Sequence, residues 1–395
     1  MKILKVIHGF PPDYMAGSEV YSYNLVKALS KQVEEINVFT TVENEFAKKY
    51  EVYDEVYDEI NIHRINKFRR DYAFEEKFHD ENIESDFRRY LTRVKPDIVH
   101  FGHLSHLSTG LLSIVAKEYK LPIIFTVHDF WLFCVKGQLI NQNFDICRGA
   151  TAEKCHDCSP YQTTIKRVQE KLDYMRGIID FINILLVPSH TLRNYFIKQG
   201  VSEKKLIYSK YGFNTNKITY KKRYYDVTSS INFGFMGRVI PTKGIRVLID
   251  ALKNIDAQLS IYGNIGSQKR FLQQHNIQFK GGYDNNSINQ VLSEIDVLIV
   301  PSIWLENSPL VIQEAFLAGI PVITSNIGGM KELVTDGVNG FLFDVGNAQS
   351  LQECIIKIIH NPSILNDLSV LRKYVRTIED DANFVYGIYK RVSSY

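Results

Sequence analysis

Long apolar runs are scarce in this chain of 395 residues, although 45% of its residues are hydrophobic. A membrane-spanning helix needs about 20 consecutive apolar residues, and no stretch of the sequence approaches that length. The segment from Met1 to His8 is too short and too interrupted for a secretion signal, and it fits a first buried strand. We therefore expect a cytoplasmic protein that contacts the inner face of a membrane only peripherally, if at all.

An excess of one charge is also missing, since the net charge is only +3. A general basic footprint for nucleic acid is therefore absent, and no nucleic-acid partner is expected. The charge is nevertheless uneven, because residues 191–230 contain nine lysines and arginines against two acids. Two interpretations of this basic segment stay open, namely a solvated linker and contact with an anionic membrane surface.

Cysteine is rare, with five residues in the chain, and disulfides are not expected in a cytoplasmic protein. Four of the five nevertheless fall within 25 residues, and two of these have the C-x2-C spacing that zinc favours. The candidate ligands are Cys134, Cys147, Cys155 and Cys158. A zinc ion bound by all four would be structural, because no open position would remain for a substrate. The alternative is four reduced thiols without a metal.

No Gly-x-Gly-x-x-Gly motif follows the first predicted strand, where residues 9–12 read Gly-Phe-Pro-Pro. A nicotinamide dinucleotide site of the usual kind is therefore disfavoured. Strand-like and helix-like stretches instead alternate in two series, separated by a polar and irregular stretch at 212–230, which predicts two doubly wound α/β domains. The predicted strands are Ile3–His8, Glu35–Thr40, Ile60–Ile65, Asp97–Phe101, Ile123–Thr126 and Ile184–Pro188, then 231–236, 257–262, 277–280, 296–301, 321–324 and 341–343.

A helix start with the properties of an anion site follows the apolar strand at 296–301. Ser308 is a good N-cap residue, and Pro309 suits the first helical position because its missing N–H costs nothing there. Gly319 is predicted to end the helix. The free N–H groups of Leu310 and Val311, together with the helix dipole, favour a phosphate.

Two carboxylates flank this helix start. Glu306 lies in the loop before the helix, and Glu314 lies in its second turn. Carboxylates are repelled by a phosphate, so they are better suited to accept hydrogen bonds from the hydroxyl groups of a ribose or a hexose. The combination predicts a site for a ligand that carries both phosphates and hydroxyls.

A family resemblance emerges from these residues and those that follow them. Glu306 and Glu314 have the E-x7-E spacing of retaining GT-B glycosyltransferases of the family 4 type, also called glycosyl transferases group 1. Three further segments resemble that family in order and spacing: Gly319-Ile320-Pro321-Val322-Ile323, Ile327-Gly328-Gly329-Met330-Lys331-Glu332-Leu333 and Asp336-Gly337-Val338-Asn339-Gly340.

The resemblance implies a GT-B fold, in which two Rossmann-like, doubly wound domains face each other across a cleft. An acceptor-side domain would span residues 1–205, and a donor domain for the nucleotide sugar would span 206–377. The C-terminal helix, at about 378–395, would cross back onto the first domain.

A further segment, Gly237-Arg238 to Lys243-Gly244, resembles the family's GR…KG motif. Two fixed cations on one loop can stabilise the negative charge of a departing diphosphate without a metal. No Asp-x-Asp pair stands near these motifs, so the resemblance implies a metal-independent enzyme. The alternative is a surface loop with a helix-capping lysine.

The resemblance also assigns roles to other residues. His128 would contact the donor sugar, although a lone histidine at a strand end is often structural. Gly17 would bring its backbone close to the donor, while Ala16 stands where the family has another glycine; Ser18 could cap the next helix. Gly263 would let the nucleotide base approach. The remaining donor-binding residues would be Gly237, Asn307, Ser308, Pro309, Leu310, Val311 and Glu314, with Tyr283 near the base.

The implied function is that of a retaining hexosyltransferase. The donor would be a nucleotide diphosphate sugar such as UDP-glucose, with no other cofactor needed for catalysis. The acceptor would be a saccharide or a lipid-linked glycan in bacterial surface polysaccharide synthesis. Two other functions stay open: a non-catalytic protein that binds a nucleotide sugar, and a GT-B sugar epimerase.

Overall fold

A computed structural model describes residues 1–68, 78–158, 163–265, 275–284, 286–370 and 372–393. The chain forms two compact units. The first comprises Met1–Phe213 with Arg376–Tyr395, and the second comprises Asn214–Val375. Both are built from a largely parallel sheet with helices between successive strands, which confirms the predicted fold class.

The first unit contains an eight-stranded sheet in the order β3-β4-β2-β1-β5-β6-β7-β8. Among the strand pairs that the described residues form in this sheet, only β3–β4 is antiparallel. The strands are β1 Lys2–Val6, β2 Glu35–Val42, β3 Val52–Tyr57, β4 Ile60–Asn66, β5 Ile98–Phe101, β6 Ile123–Thr126, β7 Ile184–Val187 and β8 Leu206–Tyr208. The helices are α1 Gly17–Leu29, α2 Glu81–Val94, α3 Gly110–Ser113, α4 Ala152–Cys158, α5 Ile165–Ile178 and α6 His190–Lys198.

The second unit contains a six-stranded parallel sheet in the order β11-β10-β9-β12-β13-β14. Its strands are β9 Asn232–Met236, β10 Gln258–Tyr262, β11 Ile277–Gly281, β12 Val297–Val300, β13 Val322–Ser325 and β14 Gly340–Phe343. Its helices are α7 Ile245–Ala251, α8 Ile288–Ser293, α9 Leu310–Ala318, α10 Met330–Leu333 and α11 Ala348–His360. Buried side chains of α7 and α11 pack with Phe233, Phe341 and Phe343 of the strands in one core.

Among the parallel strands, the strand order reverses between β1 and β5 in the first sheet and between β9 and β12 in the second. In open α/β sheets, the carboxyl ends of the strands at such a reversal are where ligands bind. The loops after these four strands are therefore the expected positions of a ligand site.

A last helix, α12 Ile378–Ser393, belongs to the first unit, as the resemblance implied. It packs against α1. Asp381 is fully buried and accepts a hydrogen bond from the Gly212 N–H (3.0 Å). The Tyr389 hydroxyl lies 2.6 Å from His100 Nδ1. Phe213 and Thr377 form a parallel bridge, so the chain leaves the first unit and re-enters it at neighbouring points.

The division of the chain differs from the predicted boundary at residues 205 and 206. Strand β8 lies beyond that point, yet it pairs with β7 in the first sheet. Residues 206–213 therefore belong to the first unit. In the described part of the chain, no helix is both long enough and apolar enough to cross a bilayer.

Candidate active site

Helix α9 begins one residue later than predicted, at Leu310. Pro309 is the N-cap residue, with ψ at 118°, and no described side chain caps the helix start. The prediction of Ser308 as N-cap and Pro309 as first helical residue was therefore wrong, because the extended Pro309 puts Ser308 outside the capping position. The first-turn amides still lack partners within the helix, as at any helix start, so the site can still receive an anion.

The loop that carries Glu306 is held by a glycine pair. The Gly329 N–H donates to the Glu306 carbonyl oxygen at 2.6 Å. A Cβ atom on Gly329 would lie 1.6 Å from the Asn307 carbonyl oxygen, and one on Gly328 would lie 2.8 Å from that of Glu306. Only glycine permits this approach, so the pair fixes the backbone from which Glu306 projects.

Glu306 and Lys243 come together although 63 positions separate them in the sequence. Lys243 Nζ lies 2.5 Å from Glu306 Oε1, which also accepts a hydrogen bond from the Ser302 hydroxyl at 2.5 Å. Glu306 is 5% exposed. The backbone joins the two loops as well, because the Ile303 N–H donates to the Thr242 carbonyl oxygen at 3.0 Å. The loops after β9 and β12 thus form one polar site at the strand-order reversal of the second sheet.

Arg238 follows β9 and is exposed. Within the described ranges, no ion pair or hydrogen bond of its guanidinium group is found, so an incoming anion can be bound by it. The backbone beneath it is compact: the Gly237 N–H donates to the Tyr262 carbonyl oxygen at 2.9 Å. A Cβ atom on Gly263 would lie 1.8 Å from the Gly237 carbonyl oxygen. The structure therefore brings Gly237 and Gly263 into direct backbone contact.

Glu314 lies in α9 and is half-buried. Burial raises the pKa of its carboxyl group to about 7. Tyr283, after β11, lies close enough for the charge of Glu314 to act on it: burial first, and that charge second, raise the pKa of the phenol. The structure thus places Tyr283 within electrostatic reach of Glu314.

Thr242 and Trp304 were not among the predicted site residues. The Thr242 hydroxyl and the Trp304 indole N–H are buried, and neither has a hydrogen-bond partner among the residues that the structure describes. They adjoin Lys243 and the Glu306 loop in sequence. Buried polar groups without partners are costly, and they accumulate where a ligand completes the hydrogen bonding. Sequence motifs give no signal for them, because their burial arises only on folding.

In the first unit, Gly17 is the first residue of α1, and Ala16 is its N-cap. Ser18 does not cap the helix as expected but lies inside it, where its hydroxyl donates to Glu19 at 2.8 Å. His128 follows β6, and its Nδ1 lies 2.7 Å from the Tyr211 hydroxyl. Burial lowers the pKa of His128 well below the ordinary value, so the ring is neutral at pH 7.

The structure does not support the predicted zinc site at Cys134, Cys147, Cys155 and Cys158. All four are free thiols. Across the described ranges, no group of three or more His, Cys, Asp or Glu side chains is placed to hold a metal ion. Cys155 instead packs with Val168 and Leu172 in a small apolar cluster. Burial raises the pKa of its thiol to about 11, with the neighbouring thiols adding to the effect, so the protonated form is favoured.

Comparison with known families supports the interpretation of both units. The model of glycosyltransferase family 4 matches residues 15–216, and that of glycosyl transferases group 1 matches residues 219–377. The chain belongs to glycosyltransferase family 4. The two matches fall on the two α/β units, with only short stretches outside them.

Known relatives of this family 4 protein include an uncharacterized glycosyltransferase of Methanocaldococcus jannaschii, 30% identical over 64% of this chain and 79% of the relative. An Escherichia coli galactosyltransferase that acts on GlcNAc-diphosphoundecaprenol is 26% identical over 71% of this chain and 70% of its own.

Solved structures share the fold. Sucrose-phosphate synthase from Thermosynechococcus elongatus superposes with a TM-score of 0.76 at 18% identity, covering 100% of this chain and 99% of its own. Anabaena HepE in complex with UDP-glucose gives a TM-score of 0.69 at 19% identity, covering 99% and 100%. Both are similar over their whole length, so the fold is that of the GT-B glycosyltransferases.

Proposed function

We propose that this family 4 protein transfers a hexose, with retention of configuration, from a UDP-sugar such as UDP-glucose. The acceptor would be a saccharide or a lipid-linked glycan in bacterial surface polysaccharide synthesis. The observation that carries the proposal is the contact between Lys243 and Glu306 beside the start of α9, because it joins cationic and hydroxyl-binding groups in one site. HepE, with the same fold, binds UDP-glucose, and the E. coli relative transfers galactose to a lipid-linked acceptor.

The donor would lie along the loops after β9 and β12. Arg238, Lys243 and the amides of Leu310 and Val311 would bind the diphosphate. Glu306 would accept a hydrogen bond from a hydroxyl of the hexose, and Glu314 would do so from the ribose, since carboxylates accept from hydroxyls. Gly237, Gly263, Asn307, Ser308 and Pro309 would shape the backbone around the nucleotide. The first unit would supply Gly17 and His128 toward the donor sugar.

The reaction follows from this placement. The bond between the anomeric carbon and the diphosphate oxygen breaks, and its electron pair stays on the diphosphate. The acceptor oxygen bonds to the anomeric carbon on the same face, and its proton passes to the departing phosphate oxygen. Arg238 and Lys243 stabilise the charge that develops there, which is the interaction that lowers the barrier.

A binding experiment tests the proposal. The melting temperature of the purified chain is measured in a chelator with UDP, GDP, ADP and the corresponding sugar nucleotides. A ligand at 100 times its dissociation constant adds about 2.7 kcal/mol of stability, which is readily detected. We expect the uridine nucleotides to stabilise the wild type and Glu314→Ala to abolish the effect. Stabilisation by none of them, with or without magnesium, would refute the donor site.

Turnover separates an enzyme from a binding protein. We expect release of UDP from UDP-glucose when acceptor extracts are added, and a labelled hexose in the product. Binding without any transfer or hydrolysis would favour the non-catalytic alternative, and recovery of an isomerised sugar would favour an epimerase.

A further inference from the structure

A second group of ionisable side chains lies at the strand-order reversal of the first sheet. His8 follows β1, His103 follows β5 and Asp129 follows β6, while Glu19 lies in the first turn of α1. The His8 N–H donates to the His103 carbonyl oxygen at 2.9 Å, which joins the ends of β1 and β5. The rings of His8 and His103 meet edge-on with centroids 4.7 Å apart. This is the position in the first unit where an open α/β sheet binds ligands.

The hydrogen bonds fix the proton of His103. Its Nδ1 accepts from the Ser105 N–H at 3.1 Å, so this nitrogen carries no proton and the ring is neutral. The proton of the neutral ring is therefore on Nε2, which donates to Asp129 Oδ2 at 2.9 Å. The other carboxylate oxygen, Asp129 Oδ1, accepts from the Trp131 N–H at 2.8 Å. Both oxygens of Asp129 are thus oriented, while a quarter of its side chain (25%) stays exposed.

His8 is in the opposite state. Its Nδ1 lies 3.1 Å from the His103 carbonyl oxygen, and its Nε2 lies 3.1 Å from Glu19 Oε1. Both neighbours are acceptors, so both ring nitrogens carry protons and His8 is an imidazolium. Burial alone would raise the pKa of Glu19, but the hydrogen bond and charge of His8 outweigh it and lower the pKa to about 2. The charges of His8 and Glu19 therefore balance each other.

The other carboxylate of this group is Asp129. Its partner His103 is neutral and therefore does not balance its negative charge. Gly137 allows its position: a Cβ atom there would lie 2.7 Å from Asp129 Oδ2, at a φ of +76°. The Gly137 carbonyl oxygen accepts from the Phe130 N–H at 3.0 Å and closes the turn around the carboxylate. An oriented, partly exposed carboxylate accepts hydrogen bonds from hydroxyls and repels phosphates and other carboxylates.

We propose that Asp129 accepts a hydrogen bond from a hydroxyl of the sugar acceptor, and that His103 is the positioning residue that orients it. The inference rests on the proposed function, and it adds that the acceptor presents an uncharged, hydroxyl-bearing sugar ring to the first unit. A sugar with a phosphate or carboxylate at that point would be rejected.

Methyl glycosides test this directly. Binding of methyl α-glucoside, methyl α-galactoside and methyl α-mannoside to the full chain is measured by saturation-transfer NMR and titration. We expect the wild type to bind at least one of them. Asp129→Asn should weaken that binding about tenfold to hundredfold, the range for a hydrogen bond to a charged group. Asparagine keeps an oxygen for the Trp131 N–H, so the turn survives, while the charge and the acceptor for the His103 Nε2–H are lost.

The controls separate this role from a structural one. Asp173→Asn removes an exposed carboxylate on α5 of the same unit and should leave glycoside binding unchanged. His103→Phe should weaken glycoside binding, and His103→Gln, which can still donate to Asp129, should weaken it less. Stabilisation by UDP should be equal in all four variants, because the proposed donor residues that bind UDP lie in the second unit.

Two outcomes would overturn the inference. One is that the wild type binds none of the three glycosides although UDP stabilises it. The other is that Asp129→Asn binds the preferred glycoside as tightly as the wild type does. If the wild type did not bind UDP at all, the proposed function itself would be refuted. Failure of this inference and failure of the proposed function are therefore distinguishable.

Discussion

The short contact with Glu306 holds the Lys243 ammonium group in place in the second unit. Glu306 is nearly buried, so its negative charge needs a partner, and Lys243 is that partner. A diphosphate would share this lysine with Glu306, while Arg238 is exposed to an incoming anion. The two cations of the motif therefore differ in their surroundings, although the sequence presents them as equivalent.

Alanine at either cation should lower turnover much more than it weakens donor binding. For Arg238→Ala and Lys243→Ala we expect kcat to fall about a hundredfold to thousandfold, because the lost interaction is strongest in the transition state. The donor KM should change less than about tenfold. Steady-state kinetics with UDP-glucose measures both constants.

The matched control is Lys253→Ala, which removes an exposed lysine paired with Asp250 in the same unit. The melting temperature is recorded with each variant, because Lys243→Ala also leaves Glu306 without its cation. Equal losses in kcat and in donor affinity would show that the two cations act mainly in binding.

Glu314 should make stability depend on pH. Because its folded-state pKa is raised to about 7, the protonated carboxyl favours the folded state. That stabilising contribution is complete below the unfolded pKa near 4.5 and is lost as the pH rises through 7. Compared with the wild type, Glu314→Gln should therefore be relatively more stable at pH 8 than at pH 5. Thermal denaturation at both pH values checks this, and an identical difference at both would contradict it.

At the scale of elements, the buried strands could be predicted because continuous apolar runs mark a parallel sheet with both faces covered. Strand β3 escaped prediction, since its Val-Tyr-Asp-Glu-Val-Tyr sequence is mostly exposed at the edge of the sheet. Strand β8 escaped because it has only three residues beside a basic stretch. Both strands form because they pair with a neighbouring strand, β4 or β7, and the local sequence alone does not predict that pairing.

The site was predicted unevenly for a related reason. Ordered motifs indicated Arg238, Lys243, Glu306 and Glu314, and the structure brings Lys243 and Glu306 together. The start of α9 lies one residue later than predicted, because Pro309 has the extended ψ of an N-cap residue. Thr242 and Trp304 could not be predicted, because their significance lies in burial without a partner. The zinc prediction is not supported: the four thiols lie close enough to affect one another, but within the described ranges no group of three or more such side chains is placed to hold a metal ion.

The docking of α12 depends on a glycine outside that helix. A Cβ atom at Gly212 would lie 2.6 Å from the Thr377 carbonyl oxygen and 2.6 Å from Asp381 Cβ. Gly212→Ala should therefore destabilise the first unit by about 1–3 kcal/mol, as overpacking does. The measurement is the midpoint of denaturant unfolding.

Gly387→Ala is the contrasting substitution. Gly387 lies within α12, and a Cβ atom there meets nothing within 4 Å. Alanine is the better helix former, so we expect a gain of about 0.5–1 kcal/mol. If both substitutions changed the free energy of unfolding in the same direction, the contact between the Gly212 backbone and α12 would not limit stability.

At the scale of the whole molecule, the chemistry should proceed without added metal. Arg238, Lys243 and the helix start can supply the positive charge that a divalent cation provides elsewhere. Transfer assays in EDTA and in magnesium should give kcat values within about twofold, a difference of roughly 0.4 kcal/mol in the barrier. Loss of activity in EDTA, restored by magnesium, would contradict this prediction.

The bridge between Phe213 and Thr377 brings together the two chain segments that lead into and out of the second unit. The chain departs and returns at neighbouring points, with the Phe213 N–H donating to the Arg376 carbonyl oxygen at 2.9 Å and the Ile378 N–H donating to that of Phe213 at 2.8 Å. Residues 214–375 thus form one continuous insertion between two adjacent points of the first unit. Recombination between relatives at these two points would therefore exchange the whole second unit in a single event, and the first unit with α12 would keep its own sequence.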